Sequence, residues 1–121
     1  MRRLRTAAAS AALIAIIATA PLNADLLQAS GKVTFLRVHD VGTGFGPPSD
    51  FIDVEVVVQI NTKPGESYGF QLRNDSNRAA RQGMLDLLRD AFNSNATVVL
   101  DYEIEPPKKN GIIIRVALRK P

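Results

Sequence analysis

The chain has 121 residues and a mass of 13.1 kDa, with no cysteine and no tryptophan, which leaves room for one domain and not for two. Without cysteine, a disulfide framework, a thiolate metal site and a cysteine nucleophile are excluded. The formal charge of +3 and a pI near 9.6 invite a nucleic-acid or membrane reading, and the position of those charges decides it.

Arg2, Arg3 and Arg5 precede a small and apolar run over residues 7–20, broken only by Ser10 and Thr19. That is the layout of a secretory signal, and the run is short of the roughly 20 apolar residues a bilayer span requires. Ala18-Thr19-Ala20 offers a cleavage site, and cleavage after Ala24 is the alternative; left uncleaved, the segment would be a membrane anchor. The expected layout is a signal over residues 1–24, a linker over 25–30 and a domain over 31–120. Losing three arginines leaves twelve basic residues against twelve acidic ones. A neutral domain gains little counterion-release energy from a phosphate backbone, so nucleic acid is not the expected partner. Export implies a periplasmic or extracellular place.

Residues 31–39 are β-rich, but their apolar positions change parity between Phe35 and Leu36, which predicts a bulge or bend. Ile52, Val54, Val56, Val58 and Ile60 then share one face, with Phe51, Asp53, Glu55, Val57 and Gln59 on the other: a half-buried second strand. Lys63-Pro64-Gly65-Glu66 has proline and glycine placed as in a type II turn. Tyr68, Phe70 and Leu72 share a face of a third strand.

The period then moves to 3.6. Ala80, Met84, Leu87, Leu88, Ala91 and Phe92, widened by Leu85, form an apolar helical stripe; Asn74, Asp75 and Ser76 are N-cap candidates and residues 93–95 a polar stop. Gly83, inside the pattern, suggests close packing onto a sheet. A fourth strand has Val98, Leu100, Tyr102 and Ile104 on one face, and a fifth has Ile112, Ile114, Val116 and Leu118. The order is three strands, a helix and two strands. That is the order of a five-stranded OB-fold Greek-key barrel, mainly β with one helix, which also removes the open edges of a flat sheet. An open α+β sandwich with the same order is the competing architecture.

No catalytic constellation is present in the sequence. His39 is the sole histidine, its neighbour Asp40 points to the opposite face of a strand, and no Gly-x-Ser-x-Gly elbow occurs. A lone histidine and scattered carboxylates match no metal-ligand spacing, so neither metal nor cofactor is expected and the protein reads as a non-enzyme. Asp101, Glu103 and Glu105 stand on one face, opposite Arg115 and Arg119, and cross-strand ion pairs account for all five.

The loops carry more. The first, residues 39–50, holds Thr43 and Phe45 among glycines and prolines; the last, residues 106–111, holds Lys108, Lys109 and Asn110. In an OB-fold these loops flank the ligand face, so Thr43, Phe45, Lys108, Lys109 and Asn110 are the candidate binding residues. With its signal, its lone domain and the helix-to-strand stretch MLDLLRDAFNSNATVVLDYEI over residues 84–104, the chain resembles the B subunits of bacterial A-B toxins and related secreted bacterial OB-fold proteins. That resemblance implies a non-enzymatic domain that assembles into a ring and binds cell-surface glycans, though the chain lacks the cysteine pair many such subunits carry. The expectation is an exported binding module for a carbohydrate or protein partner, forming a homo-oligomer. A single-stranded nucleic-acid module and a structural envelope protein are the alternatives.

Overall fold

The structure is a computed structural model that describes residues 26–48 and 53–120. The expected signal over residues 1–24 lies outside them, as do Phe51 and Ile52. Among the described residues there are five strands, β1 (Leu27–Val38), β2 (Val56–Ile60), β3 (Tyr68–Phe70), β4 (Thr97–Glu103) and β5 (Gly111–Arg119), and one helix, α1 (Arg78–Ser94), between β3 and β4. The strands form a mixed sheet whose hydrogen bonds close into a ring in the order β1-β2-β3-β5-β4.

A single long strand makes the ring possible. The first half of β1 pairs antiparallel with β4, from Leu27 opposite Tyr102 to Lys32 opposite Thr97, and its second half pairs with β2, from Val33 opposite Ile60 to Val38 opposite Val56. The register slips between Val33 and Phe35, so the expected bulge falls at Thr34, where it turns β1 from one neighbour to the next. Strand β1 also begins earlier than expected: residues 27–30, expected in a linker, are strand, and Ala29 is core.

The ring closes where β3 meets β5 in a short parallel contact, Tyr68 opposite Gly111 and Gly69 opposite Ile112. A Cβ on Gly111 would stand 2.5 Å from the Tyr102 ring and 2.9 Å from that of Tyr68. Those rings meet edge to face at 4.9 Å, so glycine is what lets the closing strand lie beside them. Lys63-Pro64-Gly65-Glu66 turns as expected, with Gly65 at φ +82° and the Glu66 N–H donating to the Lys63 carbonyl at 3.2 Å.

Two strands depart from simple alternation. Strand β2 starts at Val56, and residues 54–58 are buried on both faces instead of half-buried. In β5 the register slips opposite Asp101 and Tyr102, which puts Ile113 in the core and turns Ile114 outward, while Val116 and Leu118 still pack on the core. Leu72 lies beyond the end of β3 and Ile104 beyond that of β4. Of the five residues expected to form cross-strand ion pairs, Asp101 and Arg115 do so, at 3.0 Å.

Helix α1 lays Leu88 and Ala91 into the core, with Met84 and Leu85 packed against it. Phe92 and Ala80, expected on the same stripe, are exposed, because the core contact narrows to the Leu88–Ala91 flank. Asn77 is the N-cap, with its backbone N–H donating to the Asp75 carboxylate at 2.9 Å, and Asn95 ends the helix at φ 59°. Gly83 does not pack on the sheet: it is exposed, and a Cβ there would meet nothing within 4 Å. Gly83→Ala therefore fills open space on a helix and is expected to stabilise the fold by about 0.5–1 kcal/mol. Urea denaturation checks this through an unchanged m-value and a raised midpoint.

Candidate binding site

The inward faces of β2, β3 and β5 carry Val56, Val58, Tyr68, Phe70 and Ile113, so their partners in alternation face outward. The register then runs one row of side chains straight across four strands: Arg37, Val57, Gly69 and Ile112. Beside it Phe35 stands opposite Gln59, with the Arg37 guanidinium 5.9 Å from the Phe35 ring centroid. Gln59 donates to the Ser67 hydroxyl at 3.0 Å, which leaves the hydroxyl proton free to be donated outward.

A cleft of about 330 Å³ opens on this face, at the small end of ligand sites, which span roughly 300–1,000 Å³. Its floor is Val54, Val57, Gly69 and Ile112; its walls are Asp53, Ser67 and Gln71 on one side, Arg81 of α1, and Glu105, Lys108 and Asn110 from the β4–β5 loop. Gly69 is required by sterics: a Cβ would come within 2.6 Å of the Val54 side chain and of the Val56 carbonyl. Tyr68 also lines the cleft, its buried phenol held well above its ordinary pKa by burial first and then by Tyr102 and Glu66, so it stays neutral.

One wall is fixed from beneath by a buried carboxylate. Glu55 is 1% exposed and accepts from the Leu72 N–H at 2.8 Å, the Gly42 N–H at 3.3 Å, and Arg73 Nε and Nη2 at 3.1 and 3.0 Å. The same guanidinium reaches Asp53 at 2.6 Å, and Gln71 donates to the Asp53 carbonyl at 3.1 Å. Burial alone pushes the Glu55 carboxyl up; the hydrogen bonds from Arg73, Leu72 and Gly42, with the guanidinium charge, outweigh it and hold the group below its ordinary value. Both backbone donors belong to segments flanking the sheet, so one side chain anchors the β1–β2 loop and the end of β3 together. His39 joins the same anchor through its backbone N–H, 2.9 Å from the Glu55 carbonyl.

Of the residues expected to bind, Lys108 and Asn110 line the cleft, and Thr43, Phe45 and Lys109 do not. Thr43 closes its own turn, its hydroxyl 2.8 Å from the Asp40 carbonyl, and Phe45 is 68% exposed elsewhere on the β1–β2 loop. The sequence reading missed Asp53, Ser67, Gln71 and Arg81, and it placed Glu55 on the outer surface. Val57, apolar on the face assigned to solvent, was the one hint that this face is partly covered, but Asp53 and Gln59 share that face without being buried, so it did not single out Glu55. No family model matches the chain, and the searches of curated proteins and of solved structures return no match either.

Removing Arg73 strands a buried carboxylate, whereas removing Glu55 frees a guanidinium that is 30% exposed and still meets Asp53. Arg73→Met is therefore expected to destabilise the fold more than Glu55→Gln does, which urea midpoints at pH 7 check. Because the folded carboxyl lies below its unfolded value near 4.5, its contribution is complete above that pH and is lost as pH falls through the lower folded value. Urea midpoints measured from pH 7 to pH 3 should fall less steeply for Glu55→Gln than for the parent.

Proposed function

We propose that the chain is a non-enzymatic binding module built on an OB-type Greek-key barrel. Support comes from the element order, the helix between the third and fourth strands, and the long β1 shared by two neighbours. In this reading the module is exported on the strength of residues 1–24 and recognises a carbohydrate unit in the outer cleft. The cleft itself carries the reading: an apolar floor bounded by amide, hydroxyl and charged groups of both signs suits a ligand with one apolar face and many hydroxyls. Lys108 and Asn110 would hold one side and Ser67 and Gln71 the other.

The same face favours one second reading, a module for single-stranded nucleic acid. Of the two acids just before β2 that would repel a phosphate backbone, Glu55 is buried and paired with Arg73. The exposed Phe35 beside Arg37 adds a ring on which a base can stack. A glycan array with the purified protein, followed by titration of the best hit, separates the two. Gln71→Ala and Lys108→Ala should each weaken glycan binding about two- to tenfold, the worth of one hydrogen bond, and Phe45→Ala should leave it unchanged. Salt-dependent retention of an oligonucleotide with no glycan hit would instead select the second reading.

The resemblance to toxin B subunits extends the proposal to a ring-shaped homo-oligomer. Light scattering at tens of micromolar should then give a multiple of the subunit mass, and a strict monomer removes the ring.

A further inference from the structure

Strand β5 is hydrogen-bonded to β4 from Ile112 to Arg119, but on its other side it meets β3 only at Gly111 and Ile112. From Ile113 to Arg119 that side has no strand partner among the described residues, and every second residue there presents an unpaired N–H and C=O. A groove of about 660 Å³ runs beside it, between Ala80 and Met84 of α1 and the strand at Ile113, Ile114, Val116 and Ala117. An edge next to an apolar groove is a template for one more strand.

The charges on this edge decide which strand. Arg115 and Arg119 share the outward face, four residues and so about 13 Å apart, with Ala117 between them and Lys120 just beyond. Arg115 is paired with Asp101, while Arg119 and Lys120 form no ion pair among the described residues. Arg81, held loosely by Asp75 at 3.6 Å, lines the groove from the helix. A second copy of β5 laid antiparallel on the first would bring these cations together. The outer side of the second half of β1, which carries Arg37, offers a second copy no acid either. Like charges directly opposite one another are destabilising in a sheet.

We propose that the free edge of β5 docks an extended acidic segment of another protein as an added strand. The segment has Asp or Glu at positions i and i+4, facing Arg115 and Arg119, and a small or apolar residue at i+2 facing Ala117. Main-chain hydrogen bonds hold the strand and the carboxylates set its register. This surface adjoins the outer cleft, with Arg81 lining both, but uses the opposite stretch of β5, and any homo-oligomer is built through other faces.

The probe is a blocked nonapeptide of alternating valine and threonine with glutamate at two positions four apart, compared with the same peptide carrying lysine there. Binding is followed by fluorescence anisotropy, and amide hydrogen exchange maps where the peptide sits. The glutamate peptide should bind and slow exchange over residues 113–119, and the lysine peptide should bind at least tenfold more weakly. The double variant Arg119→Glu, Lys120→Glu, whose exposed side chains leave the core untouched, should reverse that preference while keeping the parent's circular dichroism. Gln71→Ala should leave peptide binding unchanged, which separates this site from the cleft. The proposal is overturned if neither peptide binds at millimolar concentration or both bind equally. Protection that falls in the cleft, or β5 amides already protected in a concentration-dependent way without peptide, overturns it too.

Discussion

The outer face depends on how one buried charge is neutralised. Glu55 sits under the junction of the β1–β2 loop, the start of β2 and the end of β3, where water cannot reach it. An isolated carboxylate in that place would cost several kcal/mol or take up a proton. Instead it gathers two backbone N–H groups and a two-pronged guanidinium, and each of those bonds fixes a segment that regular pairing leaves loose. The same Arg73 holds Asp53, and Gln71 holds the Asp53 carbonyl, so one cleft wall is an extension of this network. A hydrophobic pair could stabilise this junction as well, but it could not orient polar groups toward solvent on the other side.

A second constraint works at the level of topology. In this ring the long β1 pairs with β4 along its first half and with β2 along its second, and the bulge at Thr34 gives it the bend between them. The ring closes through only two residue pairs between β3 and β5, and this brevity has two results. Above the contact, the bare Gly69 and the β4–β5 loop leave space for the cleft. Beyond it, β5 runs on as a positively charged edge with the helix set back from it. The cleft and the edge are thus two products of one short closure, on different sides of the same strand.

Much of this was legible along the chain. The alternation from Val54 to Ile60, the apolar residues of β4 and the 3.6 period around Leu88 announced strand, strand and helix, although the alternation did not tell that β2 is covered on both faces. The parity change near Phe35 announced the bulge. The parity of β5 was misread because Ile112, Ile113 and Ile114 are chemically the same: with three isoleucines in a row, only the pairing with β4 says which one is inside. Of the seven polar wall residues of the candidate site, Lys108 and Asn110 were readable, because they lie on a loop between two certain strands. Lys109 on that loop, and Thr43 and Phe45 on the β1–β2 loop, do not line the cleft, since a loop's sequence does not state its path.

What the sequence determined by itself is therefore the set of elements and their faces, since hydrophobic periodicity is a local property that survives without knowledge of partners. Which faces are doubly covered, and which charges are solvated, was decided by the tertiary structure. Glu55 and Asp53 are two residues apart on one chain, and both looked like surface acids. Closure of the ring buried one against Arg73, eighteen positions away, and left the other at the lip of a cleft. The reason is physical: the worth of a charge depends on its dielectric surroundings and its partners, and both arrive from distant parts of the chain only when it folds.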